Sequence, residues 1–332
     1  MKAGAVEVPD FRPGALIRHP QVQSILATKS PRRRRWLRRG STMEALAQHH
    51  VLDCGDGVRL TGLHSPQPAG VAPRGLCVLI HGWEGSHDSA YLYSMACALH
   101  AAGYNVFRLN LRDHGGTHHL NKELFHSARM DEVLGAFRAI LALDPVRPLF
   151  VVGFSLGGNF ALRVAMQGPA IGIVPALTVG ISPAIHPGHT LLAIDQGPGL
   201  IRWYFNDKWR RTLEAKKAAW PEYDFSPYSR LRSFVEITRR FVEEFTEYET
   251  LDNYLAQYTL TPEMIVGAAA PVAVITSRDD SVIPFHYFDG LSVRGAVKAW
   301  LPTGHGGHCG FIEDLKLRCW SEQRVLELFE RL

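Results

Sequence analysis

The sequence predicts an α/β fold, a doubly wound and mostly parallel sheet with a helical cap inserted late in the chain. Three observations predict it. Short continuous apolar runs, Leu76 to Ile80 and Leu177 to Ile181 among them, have the composition of strands buried on both faces. These runs alternate with helix-length amphipathic segments, the order that builds parallel strands through right-handed crossovers. The rhythm fails once, from residue 186 to about residue 262, where aromatic and helical sequence takes over. At 332 residues the chain suits one α/β domain with an insertion better than two equal domains.

Taken in order, residues 1 to 47 lack strand periodicity and read as an arm laid against a domain. The first part of the core spans residues 48 to 185. His49 to Asp53 and Val58 to His64 flank Gly55-Asp56-Gly57, which is hairpin chemistry. Leu76 to Ile80 is the first buried strand, Ser89 to Ala102 a helix closed by Gly103, and Asn105 to Leu111 the next strand. A helix over Ser127 to Leu143 stops before Pro145, and the strand from Leu149 runs into a helix carrying Phe160 to Met166. After Leu177 to Ile181 comes the cap, residues 186 to 262, rich in aromatics such as Trp203, Phe205 and Trp209 and helical from Ser233 to Gln257. Core sequence resumes over residues 263 to 332, with strands at Val272 to Ser277 and Val297 to Leu301 and a closing helix from Cys319.

Charge is local. The net is +4, but Lys29 to Arg39 holds seven basic residues and no acid, so the remainder carries −3. A general nucleic-acid role therefore loses its support. The basic run suits anionic phospholipid head groups, with Trp36 and Leu37 entering the interface, although a solvated face is the plainer reading. Cys54, Cys77, Cys97, Cys309 and Cys319 are odd in number and contain no C-x-x-C pair, which points to free thiols in a reducing cytoplasm. No apolar leader opens the chain and no run reaches the ~20 residues of a membrane span, so a soluble cytoplasmic protein is expected. His114, His118 and His119 lack an acid or cysteine to complete a metal set and read as loop or surface residues. No glycine-rich nucleotide motif is present, so neither metal nor cofactor is expected.

Chemistry concentrates at Gly153-Phe154-Ser155-Leu156-Gly157, between the Leu149 strand and its helix. Such a turn holds the serine at crowded backbone angles and lifts its hydroxyl above the sheet; side chains at Gly153 and Gly157 would clash. A serine hydroxyl needs a base, and the base needs an orienting acid. The loop after the Val272 strand offers Asp279 and Asp280; Asp280, four residues before Pro284, is preferred. The loop after the Val297 strand offers His305 and His308, and the glycines around His308 favour it. Two amides must face the developing oxyanion. Leu156 follows the serine, and Trp83 lies in His81-Gly82-Trp83-Glu84-Gly85-Ser86, which follows the Leu76 strand.

These motifs together resemble the YheT-like branch of the α/β-hydrolase superfamily, which includes ABHD-type lipases and yeast medium-chain ester synthases. His19-Pro20-Gln21-Val22-Gln23-Ser24-Ile25-Leu26 is similar to that branch's N-terminal signature, and the Trp83, Ser155, Asp279-Asp280 and His308 loops to its later ones. The resemblance implies an α/β-hydrolase fold and a serine carboxylester hydrolase acting on short- to medium-chain acyl esters or lipids. Acyl transfer to an alcohol by the same residues, or a non-catalytic scaffold of the same fold, are the alternatives. Arg112-Asp113-His114-Gly115-Gly116 departs from the branch's Arg-Gly-x-x-Gly, and the cap is only loosely similar.

Overall fold

The computed structural model describes residues 11–28, 35–36, 42–197 and 199–331. Among the described residues eight strands form one sheet in the order β1-β2-β4-β3-β5-β6-β7-β8. They are β1 (Gln48–Asp53), β2 (Arg59–Ser65), β3 (Leu76–Ile80), β4 (Asn105–Asn110), β5 (Leu149–Phe154), β6 (Leu177–Ile181), β7 (Val272–Ser277) and β8 (Val297–Thr303). β1 and β2 run antiparallel, β2 is antiparallel to β4, and from β4 to β8 all pairs are parallel. The β1–β2 turn takes positive φ at Gly55, Asp56 and Gly57 in succession, which a glycine-rich turn tolerates.

The period of two along β3 explains its uniform apolarity. Leu76, Val78 and Ile80 enter one core and Cys77 and Leu79 enter the other, on the opposite face. The first core is covered by helices α3 (Met130–Leu143) and α4 (Leu156–Gln167), through residues such as Phe137 and Phe160. The second is covered by α2 (Ala90–Ala101) and α10 (Trp320–Glu330), through Leu92, Met95 and Trp320. Each fully buried aliphatic or Phe side chain contributes about 1.5–3 kcal/mol of transfer free energy. The chain leaves β3 toward β4 and returns to β5 on the other side of β3, so a crevice opens beyond the carboxyl ends of β3 and β5.

Between β6 and β7 stands a helical insertion: α5 (Pro187–Gln196), α6 (Gly199–Ala219), α7 (Phe234–Phe245), α8 (Leu251–Ala256) and α9 (Pro262–Val266). The stretch expected to be helical from Ser233 to Gln257 holds two helices, α7 and α8, because Thr250 starts a new helix by accepting from the Asn253 amide. Likewise the helix expected from Ser127 begins at Met130. The Ser127 amide and carbonyl are committed instead to Tyr254 Oη and Arg163 Nη1. Lys216 of α6 is fully buried and pins the insertion to the core, donating to Asp113 Oδ1 at 2.8 Å and to the carbonyl of Asn121 at 2.6 Å. Among the described residues no helix is long and apolar enough to cross a membrane.

The arm does more than lie on the surface. Its helix α1 (Pro20–Thr28) buries Gln23, whose amide nitrogen donates to the carbonyls of Ile17 and Ile312, both at 2.9 Å. Its amide oxygen accepts from the Ile312 N–H at 2.8 Å. Gln23→Leu leaves these buried backbone groups unpaired at about 1–3 kcal/mol each. The variant is expected to lose about 3 kcal/mol in urea unfolding, with a lower midpoint and unchanged slope. Of the basic run, only Arg35 and Trp36 lie within the described residues. Trp36 Nε1 donates to Ser94 Oγ at 2.9 Å, and its half-buried ring packs against the second core. The rest of Lys29 to Arg39 lies outside the described residues.

Candidate active site

Ser155 sits between β5 and α4 with φ 54° and ψ −120°, in the region of backbone space that side chains rarely occupy. Closeness to its surroundings enforces the flanking glycines. A Cβ on Gly153 would lie 2.0 Å from the Gly157 carbonyl oxygen, and one on Gly157 would lie 2.3 Å from the carbonyl oxygens of Ile80 and His81. The Ser155 amide donates to the Ile181 carbonyl at 2.9 Å, which ties the turn to the end of β6.

Three distant side chains meet here. Ser155 Oγ is 2.9 Å from His308 Nε2, and His308 Nδ1 is 2.9 Å from Asp280 Oδ2. Asp280 Oδ1 accepts from the amides of Val282 and Ile283 at 2.8 and 2.9 Å, so both oxygens of this buried carboxylate are fixed. Burial acts to lower the pKa of His308, but the Asp280 carboxylate beside it outweighs burial, and Cys309 adds in the same sense. The imidazole therefore titrates well above its ordinary range.

The other two candidates of these loops do different work. Asp279 Oδ1 accepts from the Gly307 amide at 2.8 Å, and its Oδ2 lies 3.4 Å from His305 Nδ1. His305 thus pairs with Asp279 at the rim, away from Ser155. The loop carrying His308 is bent through positive φ at Gly307 and Cys309. The arm grips this loop, since the His308 amide donates to Ser24 Oγ at 2.8 Å and a Cβ on Gly307 would lie 2.2 Å from the Pro20 carbonyl oxygen. Composition gave no signal for Gln23 and Ser24; only the resemblance of their octapeptide marked them.

The loop after β3 runs against the serine, where a Cβ on Gly82 would lie 3.1 Å from Ser155 Cβ. The Gly82 amide donates to Tyr91 Oη at 2.9 Å and the Glu84 amide to His114 Nε2 at 3.0 Å. Between them, the Trp83 amide has no acceptor among the described residues. Leu156 opens α4, and the first amides of a helix have no partner within it. Both amides are open to an anion.

Two buried histidines brace this loop. His81 Nδ1–H donates to the Gly82 carbonyl at 2.7 Å and its Nε2 accepts from the Leu111 amide at 3.2 Å. His114 Nδ1–H donates to the Arg112 carbonyl at 2.6 Å, leaving Nε2 to accept from Glu84. Burial holds His81 down to about 4 and His114 well below its usual range, so both rings are neutral and able to accept. His114 therefore lies in a loop, as expected, but as a buried brace and not at the surface; His118 and His119 join no metal set among the described residues.

The loop also meets the insertion. Trp83 stacks on Phe205 at 5.5 Å and meets Trp209 and Phe234 edge-on, while Thr212 Oγ1 donates to Glu84 Oε2 at 2.5 Å. Burial pushes the Glu84 carboxyl up to about 7 against that hydrogen bond. A narrow cavity of about 110 Å³ runs from Ser155 and Leu156 between these rings, Leu191 and Phe241. An open groove of about 1190 Å³ lies on the outer side of α6, bounded by Asp195, Trp203 and Arg210, and touches none of Ser155, Asp280 and His308. Trp209 and Leu213 separate the two.

Comparison with known proteins follows this geometry. YheT of Escherichia coli (strain K12), an esterase by name, is 24% identical over 284 residues, covering 84% of this chain and 82% of that protein. Human phospholipase ABHD3 is 21% identical over 252 residues, or 74% of this chain and 60% of that protein. Among solved structures, the Pyrococcus furiosus esterase Pf2001 superposes with a TM-score of 0.56 at 16% identity, covering 86% of this chain and 92% of that one. Est1E from Butyrivibrio proteoclasticus, with ferulic acid bound, gives 0.53 at 18% identity over 85% and 96%. At these identities the two structures speak to the fold alone. The sequence profile of the alpha/beta hydrolase family matches residues 77–316, more than two thirds of the length. With that match, this sheet order and YheT- and ABHD-type relatives, the chain belongs to the alpha/beta hydrolase family.

Proposed function

We propose that the protein is a serine carboxylester hydrolase acting on short- to medium-chain acyl esters or lipids. The observation that carries this reading is the unbroken hydrogen-bonded run from Ser155 Oγ through His308 to Asp280, with each link at 2.9 Å. His308 Nε2 takes the Ser155 proton as Oγ bonds to the ester carbon. The Leu156 and Trp83 amides receive the oxyanion. Collapse breaks the bond to the alcohol, which leaves with the proton from His308, and water then repeats the sequence to release the acid. Asp280 holds the imidazole with Nδ1–H inward and Nε2 free for the serine.

Residues 186 to 262 act as the cap over this site, residues 48 to 185 and 263 to 332 as the core, and residues 1 to 47 as the arm. Buried thiols at all five cysteines favour a reducing, cytoplasmic setting. An alkyl fluorophosphonate probe tests the nucleophile directly. One equivalent is expected to attach, at Ser155, as read by peptide mass spectrometry. Attachment elsewhere, or none on folded protein, overturns the assignment.

A further inference from the structure

The cavity that holds Ser155 also holds a buried base with nothing to do. His126 is 3% exposed and lines the cavity together with Ser127, Tyr254 and Tyr258. Among the described residues neither of its ring nitrogens has a hydrogen-bond partner. The nearest carboxylate, Glu247 Oε2, is 3.6 Å from Nε2, beyond hydrogen-bond range, on a side chain that is 66% exposed. Tyr248 and Tyr254 stand edge-on to the ring, each 5.9 Å away, and fix its plane.

The surroundings define the chemistry of the missing partner. Burial first, then the charges of Arg129, Arg112 and Arg163, hold His126 down to about 3, so it is a neutral imidazole with one donor and one acceptor. Arg163 and Arg129 are spent on backbone carbonyls, those of Ser127 and Ala128 for Arg163 and that of Leu124 for Arg129. Their field draws the electron-rich end of a dipole toward this corner. A carboxylate or phosphate would have to shed its water at a buried corner whose arginines already have partners, a far larger cost than a neutral oxygen meets. His126 borders the cavity beside Arg163, which clasps the next residue and whose backbone lies eight positions after Ser155, or about 12 Å along α4 at ~1.5 Å per residue.

We propose that His126 is a substrate-binding residue, which hydrogen-bonds a neutral oxygen, hydroxyl or carbonyl, carried on the ester's chain remote from the bond that is cleaved. The proposal rests on the ester-hydrolase reading of this cavity and adds to it a substrate class, oxygenated acyl or alkyl chains rather than plain ones. An idle buried donor and acceptor favours the oxygenated chain, because a plain chain leaves both unsatisfied.

Binding of non-hydrolysable ligands separates this from catalysis. The probes are medium-chain methyl ketones in which one hydroxyl is moved stepwise along the chain, with the plain ketone as reference and titration calorimetry on the full chain as the readout. One or more hydroxy ketones is expected to bind about tenfold tighter than the plain ketone. That preference is expected to shrink to within about twofold in His126→Phe and to persist in Glu247→Gln. A second measurement needs no variant: in imidazole-¹⁵N-labelled wild type, the preferred ketone is expected to shift the His126 nitrogens and the plain ketone to leave them in place. Equal affinity across the series, a preference that survives His126→Phe, or unmoved His126 nitrogens overturns the proposal. Hydrolysis of p-nitrophenyl butyrate is scored separately. Turnover without a hydroxyl preference leaves the hydrolase reading standing, and a preference without turnover removes that reading instead.

Discussion

Ser155→Ala is expected to lower kcat on p-nitrophenyl butyrate by about 10⁴-fold or more while leaving the melting temperature within about 2 °C. The size of the loss follows from where the oxygen sits. Oγ is the atom 2.9 Å from His308 Nε2, and alanine leaves the imidazole with no proton to take. Residual rate is expected all the same, because the amides of Leu156 and Trp83 belong to the backbone and survive the substitution; such donors and binding alone retain roughly 10³-fold over water. The fold should be indifferent, since alanine inherits the same strained φ and the same hydrogen bond from its amide to Ile181. Retention of more than about a hundredth of wild-type turnover would mean that another group performs the attack.

Asp280→Asn is expected to cost about 10³- to 10⁴-fold in kcat/KM, and to do so through a proton in the wrong place. Asparagine keeps an oxygen for the Val282 and Ile283 amides and turns its NH₂ toward His308 Nδ1. The imidazole must then carry its proton on Nε2, where it faces Ser155 and cannot accept. The pH profile should move as well. In the wild type the carboxylate lifts His308 well above about 6.5 despite burial, so activity falls as pH drops through a value above 6.5. With the carboxylate gone and burial remaining, the residual activity of the variant should have its acid limb below 6.5. Stability runs in the opposite sense: a raised histidine stabilises the fold fully below about pH 6.5, and that contribution is lost as pH rises through the folded value. The wild type's advantage over Asp280→Asn in urea unfolding should therefore shrink toward alkaline pH. A limb that stays put would separate Asp280 from the titration of His308.

Much of the sheet was readable because buried parallel strands need uninterrupted apolar runs. Leu76–Ile80, Leu177–Ile181 and Val272–Ser277 stand where those runs are, and the elbow serine, Asp280 and His308 follow the strands that position them. What escaped is what depends on partners far away in the chain. Gln23 and Ser24 stand out only through the resemblance of their octapeptide, and their roles stay hidden, since nothing local says that Ile312 and His308 wait 289 and 284 positions on. His114 sits among other histidines and glycines, and only its seat against the Glu84 amide tells a buried brace from a solvated ring. The helical insertion was recognisable as a break in rhythm, but its break at Thr250 and the pinning of Lys216 are set by capping and by a buried carboxylate, not by periodicity.

The grip of Ser24 on the His308 amide also constrains biosynthesis. During translation the elbow serine leaves the ribosome some 150 residues before the histidine (155 against 308), while the clasp that seats the histidine has been waiting since the first helix emerged. A growing polypeptide can thus assemble most of the sheet and still be chemically silent. The proposed ester cleavage thus requires two segments 284 positions apart to dock before the base is seated.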